Sequence, residues 1–230
     1  MPREIKTPRG VSVTFGFLPC ECAEAQAERG REEAEAKAEE ERREQKKREL
    51  RYERAGIPRR YWDAETDVAA YLETLHRGVG LFFTGKVGRG KTYAACVIVK
   101  RLVDSGIRAY FSDVERIERE AKDARASFQS EQEIIDRYVH VPVLVLDDLG
   151  AEKVTTRQST ILRALISGRE AEDRPTVYTS NLDRKGFAKH IAEAEGTTMA
   201  ERLASRLAGS TEVVVFDGED RRLNREVVNA

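Results

Sequence analysis

From residue 57 onward, short apolar runs alternate with longer stretches in which apolar residues return every three or four positions, the rhythm of strands followed by helices. Residues 79–84, 107–112, 141–146, 176–179 and 212–216 read as strands, and residues 91–103, 114–126, 156–169 and 198–207 as helices. The run 141–146 is apolar almost throughout, which suits a strand buried on both faces of a parallel sheet. In the stretch 156–169, Ile161, Leu162, Leu165 and Ile166 share one helix face. Such alternation builds an α/β domain, a central parallel sheet between layers of helices, and no internal repeat interrupts it.

Residues 21–54 follow another pattern, with little besides Glu, Arg, Lys, Ala and Gln. Acid-before-base pairs four residues apart, Glu33/Lys37, Glu39/Arg43 and Glu44/Arg48, favour a helix in the better orientation. No apolar side chain larger than Ala occurs in residues 23–49, so this is a charged arm, helical or partly disordered, without a stripe for a coiled coil. Its charge is polarised: residues 21–41 hold nine Glu against three basic residues, and residues 42–60 hold nine Arg or Lys against three Glu. A passive solvated face and a docking element both fit. The chain therefore divides into an arm, residues 1–56, and a domain, residues 57–230.

Composition changes the picture little. The 230 residues suffice for one core, and a formal net charge of -1 leaves any attraction to nucleic acid to local patches. No apolar run reaches the roughly 20 residues of a membrane span. Cys20, Cys22 and Cys96 form no disulfide framework, and Cys20 and Cys22 read as ordinary thiols more readily than as half of a zinc knuckle. A reducing, cytoplasmic setting and no membrane partner are expected.

Candidate chemistry starts at Gly85-Lys86-Val87-Gly88-Arg89-Gly90-Lys91-Thr92, between a strand and a helix that opens with Tyr93. Glycines let a backbone wrap an anion, amide N–H groups and the helix N-terminus face phosphates, Lys91 adds a mobile charge and Thr92 a hydroxyl for Mg2+. These residues, Gly85 to Tyr93, are candidate positions for binding a nucleoside triphosphate; a glycine-rich turn is the plain alternative. The strand 141–146 delivers Asp147 and Asp148 to its C-terminal end, where ligands collect in parallel sheets. Asp147 is expected to hold Mg2+ and Asp148 to position water, unless the pair is only a polar turn. Asn181, at the tip of the next strand, can orient the same water or serve as a turn residue. Arg202 and Arg206 lie four apart on one helix face, where arginines are usually solvated but where a neighbouring subunit could supply one to a phosphate. Arg116, Arg119, Lys122 and Arg125, followed by Phe128, recur every three or four residues on one predicted helix among acids that fit a salt-bridged face.

These motifs, with Ala55-Gly56-Ile57-Pro58-Arg59-Arg60-Tyr61, Thr179-Ser180-Asn181 and Gly218-Glu219-Asp220-Arg221-Arg222, resemble AAA+ ATPases of the DnaC/IstB type, which comprise replicative helicase loaders and transposition helper ATPases. The resemblance covers about residues 57–222. It implies a three-layer AAA+ P-loop fold, with Ile57 and Tyr61 near the adenine, Asn181 as sensor 1 and Arg222 as sensor 2. It also implies Arg206 as an arginine finger acting in trans, with Arg202 the runner-up. ATP and Mg2+ are the implied cofactors. The implied partners are a hexameric replicative helicase, further copies of the chain in a spiral, and single-stranded DNA, for which Arg116, Arg119, Lys122 and Arg125, with Phe128, are the candidate surface. A transposition helper, and an interaction module stabilised by nucleotide, remain alternatives. Asp148→Asn is expected to retain nucleotide and lose turnover in a coupled hydrolysis assay; loss of binding would contradict the division of labour between the two acids.

Overall fold

The computed structural model describes residues 3–6, 12–15, 23–126, 130–150 and 154–218. Cys20, Cys22, Phe128, Arg221 and Arg222, and with them the readings placed on these residues, lie outside that set. The chain divides into two units, Met1–Lys47 and Arg48–Ala230.

In the first unit, β1 (Arg3–Lys6) and β2 (Ser12–Phe15) form an antiparallel pair, with Arg3 opposite Phe15. Helix α1 (Ala23–Arg54) runs for 32 residues and belongs to both units. All its residues from 26 to 48 are exposed, as a sequence without an apolar stripe requires. Glu39 pairs with Arg43 at 2.5 Å as the spacing predicts, and Glu44 pairs with Lys47 at 2.7 Å.

The second unit begins within the last turns of α1, where Tyr52 is buried and donates to Asp104 at 2.7 Å. A 3-10 turn (Arg59–Tyr61) and α2 (Ala69–His76) lead to β3 (Gly80–Thr84) and α3 (Lys91–Asp104). Then come β4 (Ala109–Ser112), α4 (Val114–Ala126), α5 (Glu131–His140) and β5 (Val143–Leu149). The unit continues through α6 (Thr156–Ala171), β6 (Thr176–Ser180), α7 (Arg184–Glu195), α8 (Thr197–Ser210) and β7 (Thr211–Val215). The strands form one parallel sheet ordered β4-β5-β6-β3-β7.

Alternate strand residues feed two cores, which makes three layers. Leu81, Phe83, Val143, Val145 and Val177 pack with Ile57, Leu75 and the apolar face of α3. Phe82, Leu144, Leu146 and Tyr178 pack on the other side with Ile117, Leu165, Phe187 and Leu207 from the remaining helices. Three helices that the apolar pattern does not announce, α2, α5 and α7, carry legible start signals in two cases. Ser130 and Glu133 form a capping box at α5, and Asp183 accepts the Gly186 N–H at 2.7 Å at α7.

At the N-terminal end of the sheet, Arg169 is only 1% exposed. Its guanidinium donates to Thr176 Oγ1 and to the carbonyls of Tyr138, Val139, Val141 and Pro175 at 2.7–2.9 Å. Burial pushes its pKa down to about 10. No carboxylate is among these acceptors; five carbonyl or hydroxyl oxygens from the end of α5, its C-cap Val141 and the start of β6 share one cation. Each buried acceptor left without a donor costs about 1–3 kcal/mol. Arg169→Met is accordingly expected to remove at least about 3 kcal/mol of stability in urea unfolding, and an unchanged midpoint would contradict this role.

Candidate nucleotide-binding site

The loop after β3 turns through Gly88 and Gly90, at φ of 80° and 95°, conformations in which a side chain is strained. Gly90 is also the N-cap of α3 and supplies no side chain to its first N–H groups. Lys91, the first helical residue and buried, sends its ammonium back over the loop, donating to the carbonyls of Gly85 at 2.6 Å and Lys86 at 2.9 Å. It also donates to Asn181 Oδ1 at 2.9 Å, so that the loop of β3 is joined to the tip of β6.

Thr92 reaches the acids. Its hydroxyl donates to Asp147 Oδ1 at 3.0 Å, and Thr179 on β6 donates to the same oxygen at 2.5 Å. Burial raises the pKa of Asp147 above its ordinary value, with Asp148 and Asp113 adding to the shift; the hydrogen bonds from Thr179 and Thr92 oppose it. Asp148 is exposed and sits at φ 56°, where the register of β5 on β6 shifts between Leu146 and Leu149. The two acids thus differ in exposure, Asp147 being partly buried and Asp148 exposed within the bulge. Asp147 and Asp148 both line a cleft of about 290 Å³ together with Asp113, Glu115 and Gln158.

A lead-in segment is fastened to α3 beside the loop. Ile57 is buried, and its carbonyl accepts from Trp62 Nε1 at 3.0 Å. Tyr61 meets Tyr93 edge to face with ring centroids 6.1 Å apart. The Tyr93 hydroxyl accepts the Glu65 N–H at 2.8 Å and donates to the Glu65 carbonyl at 3.1 Å. Further along the helix, buried Lys100 donates to the carbonyls of Trp62 and Ala64 at 2.6 and 2.7 Å.

Lys91, Thr92, Asp147 and Asn181 are thus brought together and Asp148 stands next to them, while Ile57 is buried in the core and Tyr61 packs on Tyr93. Lys86 and Val87 are exposed at the tip of the loop; the Nη1 of Arg89 is buried without a hydrogen-bond partner among the described residues. Arg206 is elsewhere. It pairs with Glu170 at the end of α6, at the N-terminal end of the sheet and away from the loop, while Arg202 is exposed one turn earlier. On α4, Arg116 turns inward to Glu120 and the Gly56 carbonyl, Lys122 pairs with Glu118 at 2.7 Å, and Arg119 is exposed. That helix presents a salt-bridged face. Thr179, Lys100 and Glu65 are the contributors that sequence reasoning missed, although Thr179 stands in the quoted tripeptide before Asn181. A hydroxyl beside an Asn at a strand tip, opposite paired acids, is the signal that points to it.

The donor set fits an anion with a hard cation. Uncapped N–H groups at α3, an ammonium and an orphaned guanidinium N–H suit phosphate, while a threonine hydroxyl and a carboxylate with Oδ2 unbonded among the described residues suit Mg2+. Sheet order, loop and paired acids define the class: an AAA+ P-loop fold. The chain belongs to the family of IstB-like ATP binding proteins, whose profile matches residues 62–228. It is 28% identical over 158 residues to the replicative helicase loader DnaI of Bacillus subtilis, covering 66% of this chain and 50% of that protein. It is also 28% identical over 156 residues to a putative ATP-binding protein of an insertion sequence in Mycobacterium tuberculosis, covering 68% of this chain and 60% of that one. The crystal structure of DnaI superposes with a TM-score of 0.59 at 27% identity, over 72% of this chain and 94% of that chain. The chain spans about half the length of the helicase loaders it matches. Among the described residues no helix is long and apolar enough to cross a membrane.

An acid whose pKa is raised by folding stabilises the protein only while protonated. That contribution is full below the unfolded value near 4 and is lost as pH rises through the folded one. Asp147→Asn is therefore expected to raise the melting temperature of the nucleotide-free protein by a few degrees at neutral pH, with the gain disappearing as pH falls below about 4. A lower melting temperature at neutral pH would contradict this account of Asp147.

Proposed function

We infer that residues 57–230 form an ATPase that binds ATP with Mg2+ and acts as a nucleotide-switched loader of a replicative DNA helicase, with residues 1–56 as the docking arm. The observation that carries the reading is the convergence of Lys91, Thr92, Asp147 and Asn181 from three elements on one point. ATP and Mg2+, when bound, supply a transferable phosphoryl group and the charge that draws water and phosphate together. Lys91 exchanges neutral carbonyls for phosphate oxygens, and the amides of Gly85 to Thr92 hold the anion. Thr92 and the open oxygen of Asp147 hold the metal; Asp148 orients the water, and Asn181 steers both that water and Lys91. Ile57 and Tyr61 flank the adenine. Because Arg206 sits at the far end of the sheet, it serves the site of a second copy, and hydrolysis follows assembly. Arg222 completes the set as sensor 2.

The loader reading draws on the likeness to DnaI and on the charged arm before Ile57. The insertion-sequence relative favours a transposition helper as the second reading. Sedimentation of the full chain with a non-hydrolysable ATP analogue, single-stranded DNA and a hexameric replicative helicase separates them. A loader is expected to form ATP-dependent oligomers that carry the helicase and retain single-stranded DNA. Assembly on duplex DNA without helicase would favour the helper, and a monomer throughout would contradict both.

A further inference from the structure

Thr179, 1% exposed on β6, ties both acids to the neighbouring strand through one hydroxyl. It donates to Asp147 Oδ1 at 2.5 Å and accepts the Asp148 N–H at 2.9 Å. A hydroxyl has one proton to give and lone pairs to receive, so the two bonds form together without competition. Thr92 takes the other approach to Oδ1 at 3.0 Å, which leaves the carboxylate clamped by one oxygen. The second oxygen, Oδ2, accepts no hydrogen bond from a described residue and has its direction set by that clamp.

The bond to Asp148 does separate work. Asp148 at φ 56° is a non-glycine residue in the left-handed region, a conformation that persists where surroundings enforce it. An acceptor for its N–H is what holds this residue of the bulge in place, and Thr179 provides it. Ser180, one residue on, ties the same two strands independently: its hydroxyl donates to the Leu149 carbonyl at 2.6 Å and accepts the Leu182 N–H at 3.0 Å. Strand pairing thus survives the loss of Thr179, and the acids' orientation does not.

We propose that Thr179 is the positioning residue of the metal half-site, fixing Asp147 so that Oδ2 faces the Mg2+ position and pinning the bulge that carries Asp148. This rests on the reading of Asp147 and Thr92 as Mg2+ ligands. Thr179 acts through those acids, so its removal weakens the gain that Mg2+ brings to nucleotide binding and spares the metal-free affinity, which the loop and Lys91 supply.

The test measures binding of a fluorescent ATP analogue to the full chain with Mg2+ and with EDTA, for wild type, Thr179→Val and Thr179→Ser. Thr179→Val is expected to match wild type in EDTA and to lose about tenfold of the Mg2+-dependent gain, the worth of one hydrogen bond to a charged group. Thr179→Ser, which keeps the hydroxyl, is expected to stay within about threefold of wild type. Equal weakening with and without Mg2+, or a serine variant as impaired as the valine one, would overturn the proposal in favour of a general packing role. If Thr179→Val does not fold, Thr179→Ala replaces it in the same comparison. Wild type without any gain from Mg2+ would overturn the metal-site reading itself, and the role of Thr179 with it.

Discussion

The parallel alignment of β3, β6 and β5 is the constraint from which the rest follows. Thr84 pairs with Ser180 and, past the bulge, Leu149 pairs with the same Ser180, so three strand ends lie at one level. The connection after β3 crosses β6 and β5 to reach β4, whereas the connection after β6 crosses β3 in the other direction to reach β7. Between these opposed crossovers lies the crevice in which parallel sheets collect ligands. Lys91 bonded to Asn181, and Thr92 bonded to Asp147, are the side-chain expression of that alignment.

The two ends of the sheet carry opposite kinds of polar chemistry. At the N-terminal end, a single buried cation, Arg169, is satisfied by neutral oxygens and ties α6 to the end of α5 and the start of β6. At the C-terminal end, polar groups are left in unfavourable circumstances: a desolvated Asp147, an Asp148 in left-handed geometry, an ammonium resting on loop carbonyls. Stability conceded at a site and regained elsewhere is the usual arrangement where a protein must bind a charged ligand.

Much of this was legible in the residues because it is local. Strands buried on both faces, such as Gly80–Thr84 and residues 143–146 of β5, announce themselves by apolar runs, and the phosphate loop by glycines and a lysine at fixed spacing. Strand β5 nevertheless extends to Leu149, beyond the expected residue 146, because two acids inside a bulge look like a turn. Arg169 resembles a solvated cation at a helix end, and only the packing of α5 against α6 explains its burial. The pairing of Thr179 with Asp147 depends on strand register across the bulge, which no single stretch of sequence encodes. Arg206 shows the same limit, since its distance from Lys91 emerges only from strand direction.

The proposed function requires Lys91, Thr92 and Asp147 to form a single receptor for a metal-bound triphosphate. A crystal structure of the full chain with Mg2+ and a non-hydrolysable ATP analogue addresses it without intermediaries. Lys91 Nζ is expected to have moved from the Gly85 and Lys86 carbonyls onto phosphate oxygens, and Mg2+ to lie about 2.1 Å from the Thr92 hydroxyl, with Asp147 Oδ2 in its coordination shell. Nucleotide bound elsewhere, or a metal held without Thr92 and Asp147, would contradict it.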